Sequence, residues 1–285
     1  MTTPVVFLLD LDGTLQGDIH PQLIEYELIR ILNNNKKQQI KYNLSKLSKD
    51  YNDGLLRPHL KDSLLSMKKK HSNIEFFVYT ASSDNWAHFI IPQIEKILFG
   101  KKQIINKPYF TRSHCNADGS KSIYNVKEEV IKSLKTKYSN SSFEHIYLVD
   151  NNIVLKIPEL DKLIYCPSYN YKTMICPIRN FTDDQITEHH YDISQQLLGK
   201  PSHNKYHMLK LYYDNAFKEY EKTEKNNENY INDKYWKEFS KIVVNGKMKT
   251  EGNILETIQN LRMLHFPANF HKSFKKYIEY IHLNK

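Results

Sequence analysis

The chain has 285 residues, of which 40% are hydrophobic and 26% are charged, and its formal net charge is +9. A chain of this length and composition can bury one core of ordinary size, with a smaller appendage beside it. It contains no run of about 18 apolar residues, which argues against a membrane-spanning helix and a membrane partner. The N-terminal residues lack the basic region of a secretory signal, so we expect a soluble, intracellular protein.

The three cysteines, Cys115, Cys166 and Cys176, are too few and too scattered for a disulfide framework. Their spacing is not that of a zinc site either, so we expect reduced thiols. The excess of positive charge favours an anionic partner, such as a phosphorylated peptide, a nucleotide or a nucleic acid. Charge alone does not choose among these partners.

The first 180 residues alternate short apolar runs with amphipathic helical patterns. In chain order they predict a strand at 5–9, helices at 21–33 and 57–71, a strand at 74–80, helices at 85–99 and 126–138, and strands at 145–150 and 162–167. Strands that alternate with helices predict an α/β domain with a largely parallel sheet.

After residue 180 the pattern is helical throughout. Helix-like apolar spacing occurs in four segments, at 185–198, 205–222, 233–243 and 254–264. We therefore predict an α/β domain over residues 1–180 and a mainly helical C-terminal extension over residues 181–285.

Oxygen-bearing side chains follow three of the predicted strands at the point where each strand ends. They are Asp10, Thr80 and Asp150, and Asp12 adds a second carboxylate close to Asp10. Because ligands bind at the carboxyl edge of open parallel sheets, we expect these side chains to converge in one crevice. Carboxylates that converge need a neutralising cation, and Mg²⁺ is the usual one beside phosphates. Each residue alone also fits a structural role, such as an Asp-Gly turn at Asp12 or a helix N-cap at Asp150.

Residues 10–14, Asp-Leu-Asp-Gly-Thr, resemble the DxDGT signature of the haloacid-dehalogenase-like (HAD) phosphohydrolases. Further stretches resemble, in order and spacing, those of the carboxy-terminal-domain phosphatases, also named NLI-interacting-factor-like phosphatases. They are RPHL (57–60), FFVYTAS (76–82), RSHC (112–115) and YLVDNN (147–152). One departure is Gly13, where members of this family commonly carry glutamate. The resemblance implies a HAD-like Rossmannoid fold, which is a three-layer parallel sheet with small cap insertions.

The resemblance also implies catalytic roles. Asp10 would be the nucleophile that forms an aspartyl-phosphate. Asp12 would be the general acid and base, and its backbone carbonyl would ligate Mg²⁺. Thr80 would hydrogen-bond a phosphoryl oxygen.

The metal site and the phosphate-binding cation complete the set that the resemblance implies. Asp150 would be a metal ligand together with Asp10, and Asn151 would support the site. Lys121 would hold the phosphate, and Lys127 is the alternative for this role.

The function that this resemblance implies is Mg²⁺-dependent hydrolysis of phosphoserine or phosphothreonine in a protein or peptide. Two alternatives stay open: a HAD phosphatase that acts on nucleic-acid ends or a small phosphorylated metabolite, and an inactive module that binds a phosphorylated partner. A nucleic acid is the less favoured partner. Arg57 and Arg112 fit a structural role as well as they fit a contact with the substrate.

Overall fold

A computed structural model describes residues 3–17, 48–49, 51–139, 141–169 and 233–264. The chain forms two compact units. The first comprises residues 1–15, 59–168 and 234–285, and the second comprises residues 16–58 and 169–233. The helices predicted at 21–33, 185–198 and 205–222 lie outside the described residues, and the domain boundary at residue 180 stays a prediction.

Four parallel strands form the sheet of the first unit. They are β1 (Val5–Leu9), β2 (Ile74–Val78), β3 (His145–Asp150) and β4 (Leu163–Tyr165), in the spatial order β2-β1-β3-β4. Strand β1 is central: Val5 pairs with Ile74 on one side and with His145 on the other. Its five residues are all apolar and fully buried, as expected for a strand covered on both faces. The predicted strands and the parallel sheet are confirmed.

Within the described residues, the α-helices that accompany the sheet are α1 (Leu60–Lys70), α2 (Asp84–Phe99), α3 (Ile123–Leu134), α4 (Tyr235–Asn245) and α5 (Glu251–Met263). The prediction placed the start of α1 at residue 57, which is too early. His59 has a φ of 62° in the left-handed region, so a right-handed helix starts only after it. Helix α3 begins at Ile123, ahead of its predicted start at residue 126, and α2 contains Pro92.

Helices cover both faces of the sheet. The side chains of β1 point alternately to the two faces, and all of them are apolar, so both faces are buried against helices. Val6 and Leu8 belong to the core that includes the buried Val126 of α3. The ring of Phe7 instead lies edge-on to Phe239 of α4, with centroids 5.5 Å apart. The three-layer α/β arrangement implied by the resemblance is therefore confirmed.

The two C-terminal helices pack in the same unit as the sheet. Trp236 of α4 is fully buried, and its indole Nε1 donates to the carbonyl of Thr14 at 3.2 Å. Ser63 of α1 donates its hydroxyl to the carbonyl of Trp236 at 2.7 Å. The helical character predicted for the C-terminal region is confirmed for α4 and α5. Their position against α1 and β4 is a finding of the structure.

We expect Trp236→Ala to lower the free energy of unfolding by about 3–5 kcal/mol, because it leaves a cavity where a large aromatic ring is buried. Urea unfolding of the full chain measures this loss. Lys237→Ala is the matched control, since Lys237 is the exposed neighbour of Trp236 on the same helix. A Trp236→Ala variant as stable as the control would contradict the observed packing.

In the second unit, Arg57 has a structural role. Its side chain is buried and makes a two-pronged ion pair with Asp233, with Nε 3.1 Å from Oδ1 and Nη2 2.8 Å from Oδ2. The guanidinium also lies 5.6 Å from the ring centroid of Tyr169, whose hydroxyl donates to the carbonyl of Gly54 at 2.5 Å. Such a bidentate pair fixes the orientation of both partners.

None of the helices in the described ranges has both the length and the hydropathy that a membrane crossing needs. Cys115 is half-buried, Cys166 is buried, and neither of them is in a disulfide. The third cysteine, Cys176, lies outside the described residues.

Candidate active site

The carboxyl ends of β1 and β3 bring Asp10 and Asp150 to the same edge of the sheet. Leu9 is in register with Val149, and the amide of Asp10 donates to the carbonyl of Val149 at 2.9 Å. Both side chains are buried, with residue exposures of 6% for Asp10 and 1% for Asp150. The parallel topology therefore places these two strand ends together, although the residues are far apart in sequence.

Lys121 lies between these two carboxylates. Its Nζ is 2.5 Å from Oδ1 of Asp10 and 2.6 Å from Oδ2 of Asp150. The lysine is 1% exposed, and its amide donates to the carbonyl of Val154 at 3.1 Å. Lys127, the alternative from the sequence, is half-buried further along α3.

The buried site has an excess of negative charge. Burial raises the pKa of Asp10 to about 7; Lys121 opposes the rise, and the nearby carboxylates of Asp150 and Asp12 add to it. Burial by itself would lower the pKa of Lys121, but Asp10 and Asp150 raise it above its usual value. The lysine therefore stays protonated, and the site can accept further positive charge.

The turn after β1 is tied to the end of β3 by Asn151. The hydrogen-bonding partners orient its amide so that Nδ2 donates to Oδ2 of Asp10 at 3.3 Å and to the carbonyl of Asp12 at 3.0 Å. Its Oδ1 then accepts from the hydroxyl of Ser168 at 2.9 Å. Thr14 also donates to Oδ2 of Asp10, at 3.4 Å. These bonds hold Oδ2 of Asp10, whereas Lys121 contacts Oδ1.

The backbone conformation at position 13 and the adjacent side chain of Asn151 both favour glycine there. Its φ is 79°, in the left-handed region that favours glycine. A Cβ at this position would lie 2.5 Å from the nearest amide atom of Asn151, which is Oδ1 in the orientation given above. The glutamate that family members commonly carry here would therefore force Asn151 to move, so Gly13 and Asn151 act as one packing unit.

We expect Gly13→Ala to lower the free energy of unfolding by roughly 1–3 kcal/mol, because it combines backbone strain with a clash. It should also lower kcat/KM about tenfold, since Asn151 leaves the carboxylate that it orients. Gly119→Ala is the matched control: its φ of 82° carries the same backbone cost, but no atom lies within 4 Å of the added Cβ. Equal losses of activity in the two variants would contradict the role of the Gly13–Asn151 contact.

The end of β2 supplies hydroxyl groups to the same edge. Thr80 is buried, and its Oγ1 accepts from the amide of Ser82 at 3.1 Å. The hydroxyl of Ser82 donates to Oδ2 of Asp12 at 2.9 Å. The sequence by itself indicates no role for Ser82. The available signal was its place in the FFVYTAS stretch, directly after a buried strand.

Arg112 donates hydrogen bonds to the backbone of this loop. Its Nε donates to the carbonyl of Ala81 at 2.7 Å, and its amide donates to the carbonyl of Ser82 at 3.0 Å. The neighbouring Thr111 and Ser113 hydroxyls both donate to the carboxylate of Asp84, at the start of α2. Arg112 thus has a structural contact with the loop that holds Thr80 and Ser82.

The oxygen atoms predicted to bind Mg²⁺ fit a hard divalent cation. Asp10 Oδ2 and the carbonyl of Asp12 accept from the same Asn151 nitrogen, at 3.3 Å and 3.0 Å, so the two oxygens are close neighbours at this edge of the sheet. Buried carboxylates outnumber the lysine beside them, and oxygen donors with excess negative charge are what Mg²⁺ prefers. The set has two side chains and one backbone oxygen; within the described ranges, no three His, Cys, Asp or Glu side chains group as a metal site.

A comparison with models of known protein families gives a match over most of the chain. A family model described as NLI interacting factor-like phosphatase matches residues 5–194. No curated protein matches the chain. The matched span covers two thirds of the chain and contains Asp10, Asp12, Lys121 and Asp150.

Proposed function

Because the chain belongs to the NLI interacting factor-like phosphatases, and is therefore a HAD-type phosphatase, we propose that it is a Mg²⁺-dependent protein phosphatase acting on phosphoserine or phosphothreonine. The observation that carries this proposal is the position of Lys121 between the buried carboxylates of Asp10 and Asp150. Such a cluster provides a nucleophile, a cation for the phosphate and an oxygen ligand for a metal.

Asp10 is the nucleophile in the proposed reaction. Its carboxylate oxygen attacks phosphorus, the ester P–O bond breaks, and an aspartyl-phosphate forms. Lys121 opposes the rise that burial causes in the pKa of Asp10, and it pairs with the oxygens of the incoming phosphate. The attack depends on orientation, which Thr14 and Asn151 impose on the second carboxylate oxygen of Asp10.

Asp12 moves the proton. It protonates the leaving oxygen of the substrate, and then, as a carboxylate, takes a proton from the water that hydrolyses the aspartyl-phosphate. Thr80 is proposed to hold a phosphoryl oxygen. Since its Oγ1 accepts from the amide of Ser82, its hydroxyl proton is available to donate.

Asp10, Asp150 and the carbonyl of Asp12 would hold Mg²⁺ in this proposal, with Asn151 orienting two of these groups. When bound, the cation neutralises the phosphoryl oxygens as charge shifts during transfer. The excess of buried carboxylate over lysine supports this assignment.

The short connection from β2 to α3 supports an extended peptide as substrate. All of its backbone between Thr80 and Lys121 is described, and it holds helix α2 and the short 3₁₀ turn Arg112–His114. This connection contains no separate domain that would close over the site from this side. The net charge of +9 also favours a phosphorylated, anionic partner.

A substrate panel tests the proposal on the full chain. It contains a phosphoserine peptide, a 3′-phosphorylated oligonucleotide and a sugar phosphate, each assayed with Mg²⁺ and with EDTA. We expect the highest kcat/KM on the peptide, loss of turnover in EDTA, and recovery when Mg²⁺ is restored. A highest kcat/KM on either of the other substrates would overturn the protein-phosphatase proposal. Tight peptide binding without turnover would favour a binding module instead.

A further inference from the structure

The contact between Ser82 and Asp12 joins two loops that follow different strands. The hydroxyl of Ser82 donates to Oδ2 of Asp12 at 2.9 Å, across 70 residues of sequence. Asp12 lies in the turn after β1 and Ser82 lies in the loop after β2. The two loops meet because β1 and β2 are parallel neighbours in the sheet.

The Ser82 side of this contact is held in place by its own loop. Its amide donates to Oγ1 of Thr80 at 3.1 Å, and its carbonyl accepts from the amide of Arg112 at 3.0 Å. Arg112 also donates through Nε to the carbonyl of Ala81 at 2.7 Å. With the backbone fixed on both sides, the Ser82 hydroxyl has a defined position from which to donate.

Asp12, in contrast, lies outside the named strands and helices, in the segment that follows β1. The next residue, Gly13, has a φ of 79°, and the Asp12 side chain is half-buried. A hydrogen bond to one oxygen of a carboxyl group fixes the rotation of that group about its Cβ–Cγ bond. General acid catalysis needs one of the two oxygens to face the leaving group at hydrogen-bond distance.

We propose that Ser82 is a positioning residue: its hydroxyl holds Oδ2 of Asp12, so that the other carboxyl oxygen carries the proton toward the leaving oxygen of the substrate. This inference rests on the function proposed above. The donor from Ser82 requires Oδ2 to act as an acceptor, which leaves Oδ1 as the oxygen that is protonated. The proton then passes from Oδ1 of Asp12 to the leaving oxygen as the P–O bond breaks.

This role predicts an effect that depends on the leaving group. A basic leaving oxygen needs a proton in the transition state, whereas p-nitrophenolate leaves readily without one. Loss of the Ser82 hydroxyl should therefore slow the hydrolysis of phenyl phosphate far more than that of p-nitrophenyl phosphate. A general loss of structure would slow both alike, so the ratio of the two rates separates positioning from folding.

The experiment measures kcat/KM for both aryl phosphates at saturating Mg²⁺ in the wild type, Ser82→Ala, Ser82→Thr and Ser83→Ala. Ser83 is the exposed neighbouring serine and makes no side-chain capping bond to α2, so Ser83→Ala is the matched control. We expect Ser82→Ala to lower kcat/KM about 10- to 100-fold for phenyl phosphate and less than about threefold for p-nitrophenyl phosphate. Ser82→Thr keeps the hydroxyl and should keep most of the wild-type ratio.

An unchanged ratio of the two kcat/KM values in Ser82→Ala would overturn the positioning role, whatever the absolute rates. The same shift in Ser83→Ala, or in Ser82→Thr, would overturn it as well. A wild-type chain that hydrolyses neither ester would overturn the proposed function and this inference together. If only the positioning role is wrong, the wild type will be active and Ser82→Ala will have the same ratio of the two kcat/KM values as the wild type.

Discussion

Asp10→Asn should abolish the Mg²⁺-dependent hydrolysis of p-nitrophenyl phosphate, with a loss of roughly 10³-fold or more in kcat. An amide is not a nucleophile toward phosphorus, and the neighbouring Asp12 and Asp150 do not replace Asp10 in line with the phosphate that Lys121 holds. The measurement is the rate of p-nitrophenol release at saturating Mg²⁺, with Asp62→Asn as the matched control. Asp62 is an exposed aspartate in the first turn of α1, far from the carboxylate cluster in sequence.

The Asp10→Asn variant should lose its activity without losing stability. The pKa of Asp10 is raised from 3.8 to about 7 by burial, so the fold disfavours its charged form. A group with a raised pKa contributes stability that is fully present below its unfolded pKa and is lost as pH rises through its folded pKa. In metal-free buffer at pH 8, replacement of this carboxylate by a neutral amide should leave Tm unchanged or raise it.

A Tm comparison at pH 8 and at pH 5 checks the sign. We expect the stability of Asp10→Asn relative to wild type to be higher at pH 8 than at pH 5, because wild-type Asp10 is protonated at the lower pH. Full phosphatase activity in Asp10→Asn would contradict the proposed mechanism. Loss of activity together with a large loss of stability at pH 8 would instead contradict the electrostatic description of the site.

Lys121→Met should have the largest combined effect on stability and activity. It leaves the buried carboxylates of Asp10 and Asp150 without the cation that contacts both of them. Removal of one partner from a buried ion pair typically costs about 3–5 kcal/mol. We therefore expect a loss of this size in the free energy of unfolding at pH 8, measured by urea unfolding, together with a loss of roughly 10³-fold in kcat/KM.

The pH dependence of this variant has a defined direction. Without Lys121, the charge that lowers the pKa of Asp10 is gone, so this carboxyl takes up a proton more readily in the folded state. The loss of stability in Lys121→Met should therefore be greatest above pH 7 and should shrink as the solution is made acidic.

Lys127→Met is the matched control, because it makes the same substitution at the alternative lysine. Lys127 is half-buried on α3, and we expect a change within about 1 kcal/mol and an activity close to that of wild type. A larger loss of activity in Lys127→Met than in Lys121→Met would reverse the assignment of the phosphate-binding lysine.

Much of the first unit follows from local patterns in the sequence. The apolar run Val5–Leu9 and the run before Asp150 predict strands because a strand covered on both faces needs apolar residues on both. The helices also follow from residues close together in the chain, and the predictions differ from the structure at the helix ends. The predicted start of α1 is too early because no pattern in the surrounding residues indicates the left-handed backbone of His59.

The site could be predicted in outline for a related reason. Parallel strands end at one edge of a sheet, so Asp10, Thr80 and Asp150 could be expected together from their positions alone. Lys121 can be identified from the sequence only through the resemblance to a family, since a lysine before a helix has no distinctive spacing. Its two ion pairs span 111 and 29 residues of sequence and appear only in the folded chain.

By itself, then, the sequence determined the order of strands and helices, the parallel sheet, and the acidic residues at its edge, because each depends on residues close together in the chain. Only the tertiary structure decided that Trp236 packs beneath the turn at Thr14, that Asn151 leaves no space for a side chain at Gly13, and that Ser82 reaches Asp12. Each of these contacts joins residues at least 70 positions apart. Such pairs are set by how the layers pack, and no local pattern of hydrophobicity or charge encodes them.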